Sequence, residues 1–202
     1  MSIGRGERGK RVSDAGKDPK QISSEPLTKA EVAELRDAVV DGVRDYCESA
    51  ENLTWPLNVL RALLDDEGYV AELLDLLEDY DTEYTRNVEP KINILVAMES
   101  VPSQKIRDAA EAYLQDVNET VRFHAVQTLF AQAKHAGDDA HALGPMVAML
   151  AEEESVRIKN KVCEGVMQAG WTIPAELREA WADGTRDVYE YRTGKDGKVS
   201  KS

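Results

Sequence analysis

The sequence predicts an all-α protein, and three observations carry that expectation. From Leu27 onward, apolar residues recur at three- and four-residue spacing almost without pause. Cap and stop residues cut these runs into helix-length pieces joined by short loops. Strand-like alternation is nearly absent before residue 188.

Each element follows in order. Thr28, with Glu31 three residues on, reads as a capping box, and Ala30, Ala33, Val39, Val43, Tyr46 and Cys47 mark one face of a first helix. Thr54-Trp55-Pro56 opens a second helix carrying Leu57, Leu60, Leu63 and Leu64. A third follows Gly68, and a fourth runs over 87–98, where Pro90 fits only the first turn. Pro102-Ser103 caps a fifth helix ending near Leu114, and Asn118 caps a sixth through Phe130. A seventh spans 143–150, an eighth runs over 156–167 up to Gly170, and a short ninth follows Pro174. The run 188–192 and then 195–199 predict a small C-terminal β-hairpin.

Charge divides the 202 residues unevenly. The chain has 25 basic and 38 acidic side chains, a net −13, with 42% hydrophobic residues, enough to bury a core. Residues 1–26 are rich in Gly, Ser, Lys and Arg and lack apolar periodicity, which predicts a disordered basic tail. A helical domain is expected over 27–184, and an extension with the hairpin over 185–202. The acidity concentrates in 65–89, where ten acids face Arg86 alone. Such a surface repels nucleic acid and anionic lipid, so neither is an expected partner of the helical domain; a protein with a basic surface is. No apolar run approaches the length of a membrane span, and Cys47 and Cys163 lack CxxC spacing, so reduced thiols in a cytoplasmic protein are expected.

The sequence also repeats. Leu114 through Arg122 aligns with Leu150 through Arg157, and Leu77 through Arg86 aligns less closely. Each segment is an apolar helix end, an acidic turn, a Val-Arg or Thr-Arg pair and a further apolar helix. The stretch from Asp116 through Val121-Arg122 and Ala125 to Leu129 resembles the HEAT repeat family, and the resemblance extends over roughly 54–170. It implies a short right-handed α-solenoid of stacked antiparallel helix pairs, since one pair cannot bury both its faces alone. Arg86, Arg122 and Arg157 are then expected to form a structural ladder with turn acids such as Asp116 and Glu152.

Few residues point to chemistry. Gly4-Arg5-Gly6-Glu7-Arg8-Gly9 matches a dinucleotide-loop pattern, but no strand precedes it and no helix pattern follows. Asp79, Asp81 and Glu83 have the opening spacing of a calcium loop, yet Tyr84 and Pro90 replace its Gly and Glu. His124, His135 and His141 lack metal-ligand spacing and read as surface histidines. Both cysteines fall on apolar faces, where thiols are inert. No cofactor, metal or catalytic residue is therefore expected. HEAT-like scaffolds include DNA glycosylases, which need a basic groove that this chain lacks, and phycobilin lyases.

The leading expectation is a non-catalytic interaction or scaffold module docking a partner on its concave or acidic face. In the implied stacking, the second helix of each pair lines the concavity. That places Phe123, His124, Gln127 and Thr128 there or at its edge, with Asn93, Lys161 and Glu164 at comparable positions. Phe123 is either a binding anchor or a packing residue against the next repeat. Asp79, Asp81 and Glu83 are the acidic candidates. The alternative is an enzyme or ligand-binding protein with a pocket between repeats, near Trp55, Tyr84 and His124.

Overall fold

A capping box opens the first helix of the computed structural model, which describes residues 27–81, 87–137 and 140–202. Among the described residues there are nine α-helices: α1 Lys29–Cys47, α2 Thr54–Leu63, α3 Asp66–Asp79, α4 Glu89–Met98, α5 Gln104–Ala112, α6 Glu119–Ala136, α7 Ala140–Leu150, α8 Val156–Ala169 and α9 Arg178–Gly184. Short 3-10 turns at Tyr113–Gln115 and Ala175–Leu177 extend α5 and precede α9. The predicted tail over 1–26 lies outside the described residues.

Local chemistry sets the boundaries. Asp65 accepts from the Gly68 amide, so α3 starts before Gly68 and not after it. Asn118 caps α6 by accepting from the Thr120 and Val121 amides. That helix continues past Phe130 to Ala136, because Gln132 and Ala133 still face the core, and Gly137 ends it at φ 64°. Gly170, at φ 71°, ends α8 the same way. The α7 helix begins earlier than 143 and carries Pro145 inside.

The helices pack in two rows. One contains α2, α4, α6 and α8, each against the next; the other contains α3, α5 with its 3-10 extension, α7 and α9. Chain neighbours α3 and α4, and α5 and α6, pack across the rows, while α1 packs on α2. Two clusters of buried apolar side chains fill the space between rows, and Tyr113 packs against both. Each fully buried Leu, such as Leu60, Leu73, Leu95 or Leu129, contributes about 1.5–3 kcal/mol.

Two expectations need correction. The hairpin strands are β1 Tyr191–Thr193 and β2 Val199–Lys201, paired antiparallel with Arg192 opposite Ser200. The 194–198 stretch is the turn, because Gly197 sits at φ 86°, where a strand residue cannot. On α1, only Val40, Val43 and Cys47 are buried. Ala30 and Ala33 are exposed because the first half of α1 buries none of its residues, and Val39 and Tyr46 because they lie to one side of the Val40–Val43–Cys47 stripe.

Candidate functional site

Four cations pair with carboxylates from other stretches of the chain. Arg44 on α1 donates from both Nε and Nη2 to the carboxylate of Glu72 on α3. Lys91 on α4 lies 2.9 Å from Asp81 and 3.0 Å from Asp116, with the Tyr113 ring 5.1 Å away. Arg122 on α6 is bidentate to Glu153 at 2.7 and 2.9 Å. Lys159 on α8 reaches both Asp187 oxygens at 2.9 and 3.0 Å. Burial works against charge on Lys91, but its bonds to Asp81 and Asp116 outweigh it and hold the ammonium above its ordinary value. Burial likewise opposes ionisation of Glu153, yet the Arg122 guanidinium and the Ser155 amide hold that carboxyl below the usual range.

The expected ladder therefore differs in membership. Arg122 occupies its rung, though it meets Glu153, and it takes only the backbone carbonyls of Asp116 and Val117. The Asp116 carboxylate serves Lys91 and the Asn118 amide instead. Arg157 stands off the ladder: its guanidinium lies 3.9 Å over the Phe123 ring. Arg86 lies outside the described residues. Lys91 and Lys159 take the rungs, because a four-carbon stem can pass through apolar packing and deliver its charge at the edge.

Polar clamps account for further candidates. Asn93 accepts from the Leu53 amide at 2.7 Å, and so fixes the chain before α2. Thr128 was expected near the concavity. It is fully buried, with its hydroxyl 2.9 Å from Leu95 O and 3.0 Å from His124 O, because it bonds α6 to α4. Gln132 donates to Met98 O and Val101 O and accepts from the Ser103 amide, holding the turn between α4 and α5. Asp81 is engaged by Lys91, whereas Asp79 is exposed at the end of α3. Glu83 and Tyr84 lie outside the described residues.

One polar face remains, on the α4–α6–α8 row. Glu89, Asn93 and Val96 share a side of α4 by helical spacing; His124 and Gln127 do so on α6, and Arg157, Lys161 and Glu164 on α8. Val96 and Arg157 are exposed, while Gln127, Lys161 and Glu164 are half-buried. Lys161 and Glu164 pair at 3.1 Å. Phe123 is half-buried against the core under Arg157, so it is a packing residue and not a bare anchor. His124 is half-buried rather than on the surface, since helices flank it on both sides, and its Nδ1 is buried without a partner. Burial, and then the Arg157 guanidinium, hold its imidazole below its ordinary value against the pull of Glu89. His135 is exposed with Nε2 3.0 Å from Glu99 O. Burial raises the Glu99 carboxyl against the opposing influence of Lys161.

The thiols sit elsewhere. Burial pushes Cys47 up to about 11 and Cys163 up to about 12, so both are protonated at neutral pH. A cleft of about 360 Å³ beside Cys163 is lined by Arg178, Trp181, Tyr191, Thr193 and Lys195. Arg178 has its donors committed to the carbonyls of Ile173, Lys195 and Asp196. Trp55 stacks edge-on against Tyr46 at 6.0 Å, at the α1–α2 end, so the structure does not gather it with His124. Among the described residues, no helix is long and apolar enough to cross a membrane. No protein-family model, curated protein or solved structure matches the chain.

Proposed function

We propose that this chain is a protein-binding module: a HEAT-like, right-handed α-solenoid of stacked helix pairs whose α4–α6–α8 face docks another protein. The observation that carries it is the continuity of that face, since α4, α6 and α8 pack side by side and Arg157 of α8 reaches across to the Phe123 ring of α6. Side-by-side packing of alternate helices in chain order supports the solenoid reading, because each pair then buries its neighbour's open side. The charged groups that could do chemistry at the turns are instead committed to pairing one turn with the next. On the open face, Arg157, Lys161 and Glu164 supply both signs around the half-buried Gln127. The two unpaired, buried cysteines suit a reducing, cytoplasmic setting.

Site-specific photocrosslinking tests this. A benzophenone side chain at Gln127 should capture one protein in cells expressing the full chain, and Arg157→Glu should abolish that capture. The same label at Val117, 98% exposed on the turn before α6 and outside the residues assigned to the face, should not capture it. Equal capture from both positions would refute the reading.

A second reading, a ligand pocket in a lyase-like protein, draws on the cleft beside Cys163. Under it, Ala182→Trp, which fills the cleft, removes function while Gln127 crosslinking is irrelevant to it.

A further inference from the structure

We propose that the cleft beside Cys163 binds a small aromatic carboxylate. The inference rests on the second reading, that this cleft is a ligand pocket, and names what the pocket takes. It requires no catalysis and is independent of the α4–α6–α8 face. Cys163 comes from α8, Trp181 and Ala182 from α9, Tyr191 and Thr193 from β1, and Lys195 from the hairpin turn. Cys163 and Trp181 are buried and form the inner wall, Tyr191 is half-buried, and Lys195 is exposed at the mouth. The cleft holds about 360 Å³, the lower end of the range for small-molecule sites, which suits one ring and its substituents.

Polarity selects an anion. The charged side chains of the lining are both cations, Arg178 and Lys195, although the chain as a whole carries a net −13. Arg178 is fixed in place by donating to the carbonyls of Ile173, Lys195 and Asp196. Those neutral acceptors hold the guanidinium without neutralising its charge. Gly197 makes room for it, since a Cβ there would lie 2.4 Å from the Ile173 carbonyl oxygen and 3.2 Å from Arg178 Nε and Nη2. The Lys195 ammonium has no hydrogen-bond or ion-pair partner among the described residues. Thr193 accepts from Trp181 Nε1 at 2.8 Å, which leaves its own hydroxyl proton to donate. Neighbouring carboxylates lie outside the lining. Asp196 accepts from the Lys198 amide, and of Glu164 and Glu190, which act on Tyr191, the first is paired with Lys161. The rings of Trp181 and Tyr191, with Ala182 and the neutral Cys163 thiol, match an aromatic body rather than a bare inorganic anion.

Fluorine NMR of 4-(trifluoromethyl)benzoate added to the full chain tests this, with 4-(trifluoromethyl)benzamide as its uncharged counterpart. The benzoate signal should broaden and shift. The Trp181 indole N–H signal should move with it, while that of Trp55, 63% exposed on α2, stays in place. Benzamide should bind at least about tenfold more weakly. Lys195→Glu, at an exposed position, should weaken benzoate binding by about tenfold or more and leave benzamide unchanged. Ala182→Trp should abolish binding of both probes, and Arg157→Glu should change neither. Equal binding of the two probes, or indifference of benzoate to Lys195→Glu, overturns the proposal while leaving the cleft a ligand pocket. So does an unperturbed benzoate signal at about 10 mM, well above the concentration that fills a millimolar site. Binding that survives Ala182→Trp, or that Arg157→Glu removes, overturns the proposal and the second reading together, by placing the probes outside the cleft.

Discussion

Arg122 and Glu153 stand 31 positions apart, yet their side chains meet in a two-bond fork at 2.7 and 2.9 Å, with the Glu153 side chain 1% exposed. The fork joins the start of α6 to the turn before α8. Arg122→Gln leaves that carboxylate buried with only the backbone amides of Ser155 and Glu154 and no cation. The expected cost is about 2–3 kcal/mol, somewhat below a fully buried pair because Arg122 is one-fifth exposed. Urea unfolding followed by circular dichroism measures it, and Arg122→Lys should recover only part of the loss.

The same pair sets an acid limit. The unfolded chain protonates Glu153 near its ordinary value of 4.5, while the folded chain holds the carboxyl lower. The stabilisation is therefore complete above about pH 4.5 and is lost as pH falls through the folded value. Glu153→Gln should be less stable at pH 7 and show a shallower decline below pH 4.5 in the same unfolding series.

His124 acts in a higher window. The unfolded chain takes up its proton near 6.5, whereas burial and Arg157 resist it in the folded chain. Stability should be full above about pH 6.5 and fall below it, and His124→Gln should remove that part of the slope. Proton titration of the imidazole by NMR should give a midpoint under 6.5 that rises when Arg157 becomes Gln.

Much of this was legible in the sequence, and the rest was not for definite reasons. Caps and apolar periods reveal every helix, because Thr28, Asn118 and Gly170 act on their own neighbours. The Val121-Arg122 pair also marks a real junction. Pairing partners were invisible: nothing in the local sequence singles out Lys91 or Lys159, whose partners Asp116 and Asp187 lie 25 and 28 positions away and which are buried in the fold. Thr128 and Asn93 look like groove residues because polarity alone does not distinguish a clamp from a contact. The exposed half of α1 was also hidden, since periodicity shows which residues share a face and not whether anything covers it.

Gly165 marks a close approach of α8 to the Phe130 side chain of α6. A Cβ there would lie 2.3 Å from the Phe130 ring, which itself packs 5.3 Å from the Trp171 ring. Gly165→Ala should cost about 1–3 kcal/mol despite its better helix propensity. Adding Phe130→Leu should return part of the loss, a coupling that a double-mutant cycle in thermal unfolding measures.

The central claim is that the α4–α6–α8 face holds a partner protein. Quantitative mass spectrometry of proteins retained by the full chain should show one partner lost from a Val96→Glu/Gln127→Glu/Arg157→Glu variant whose melting temperature matches the parent. The Val39→Asp variant serves as the comparison for the opposite end of the molecule. Selective loss with the first variant is the expected result. Identical retention by parent and face variant would contradict the claim.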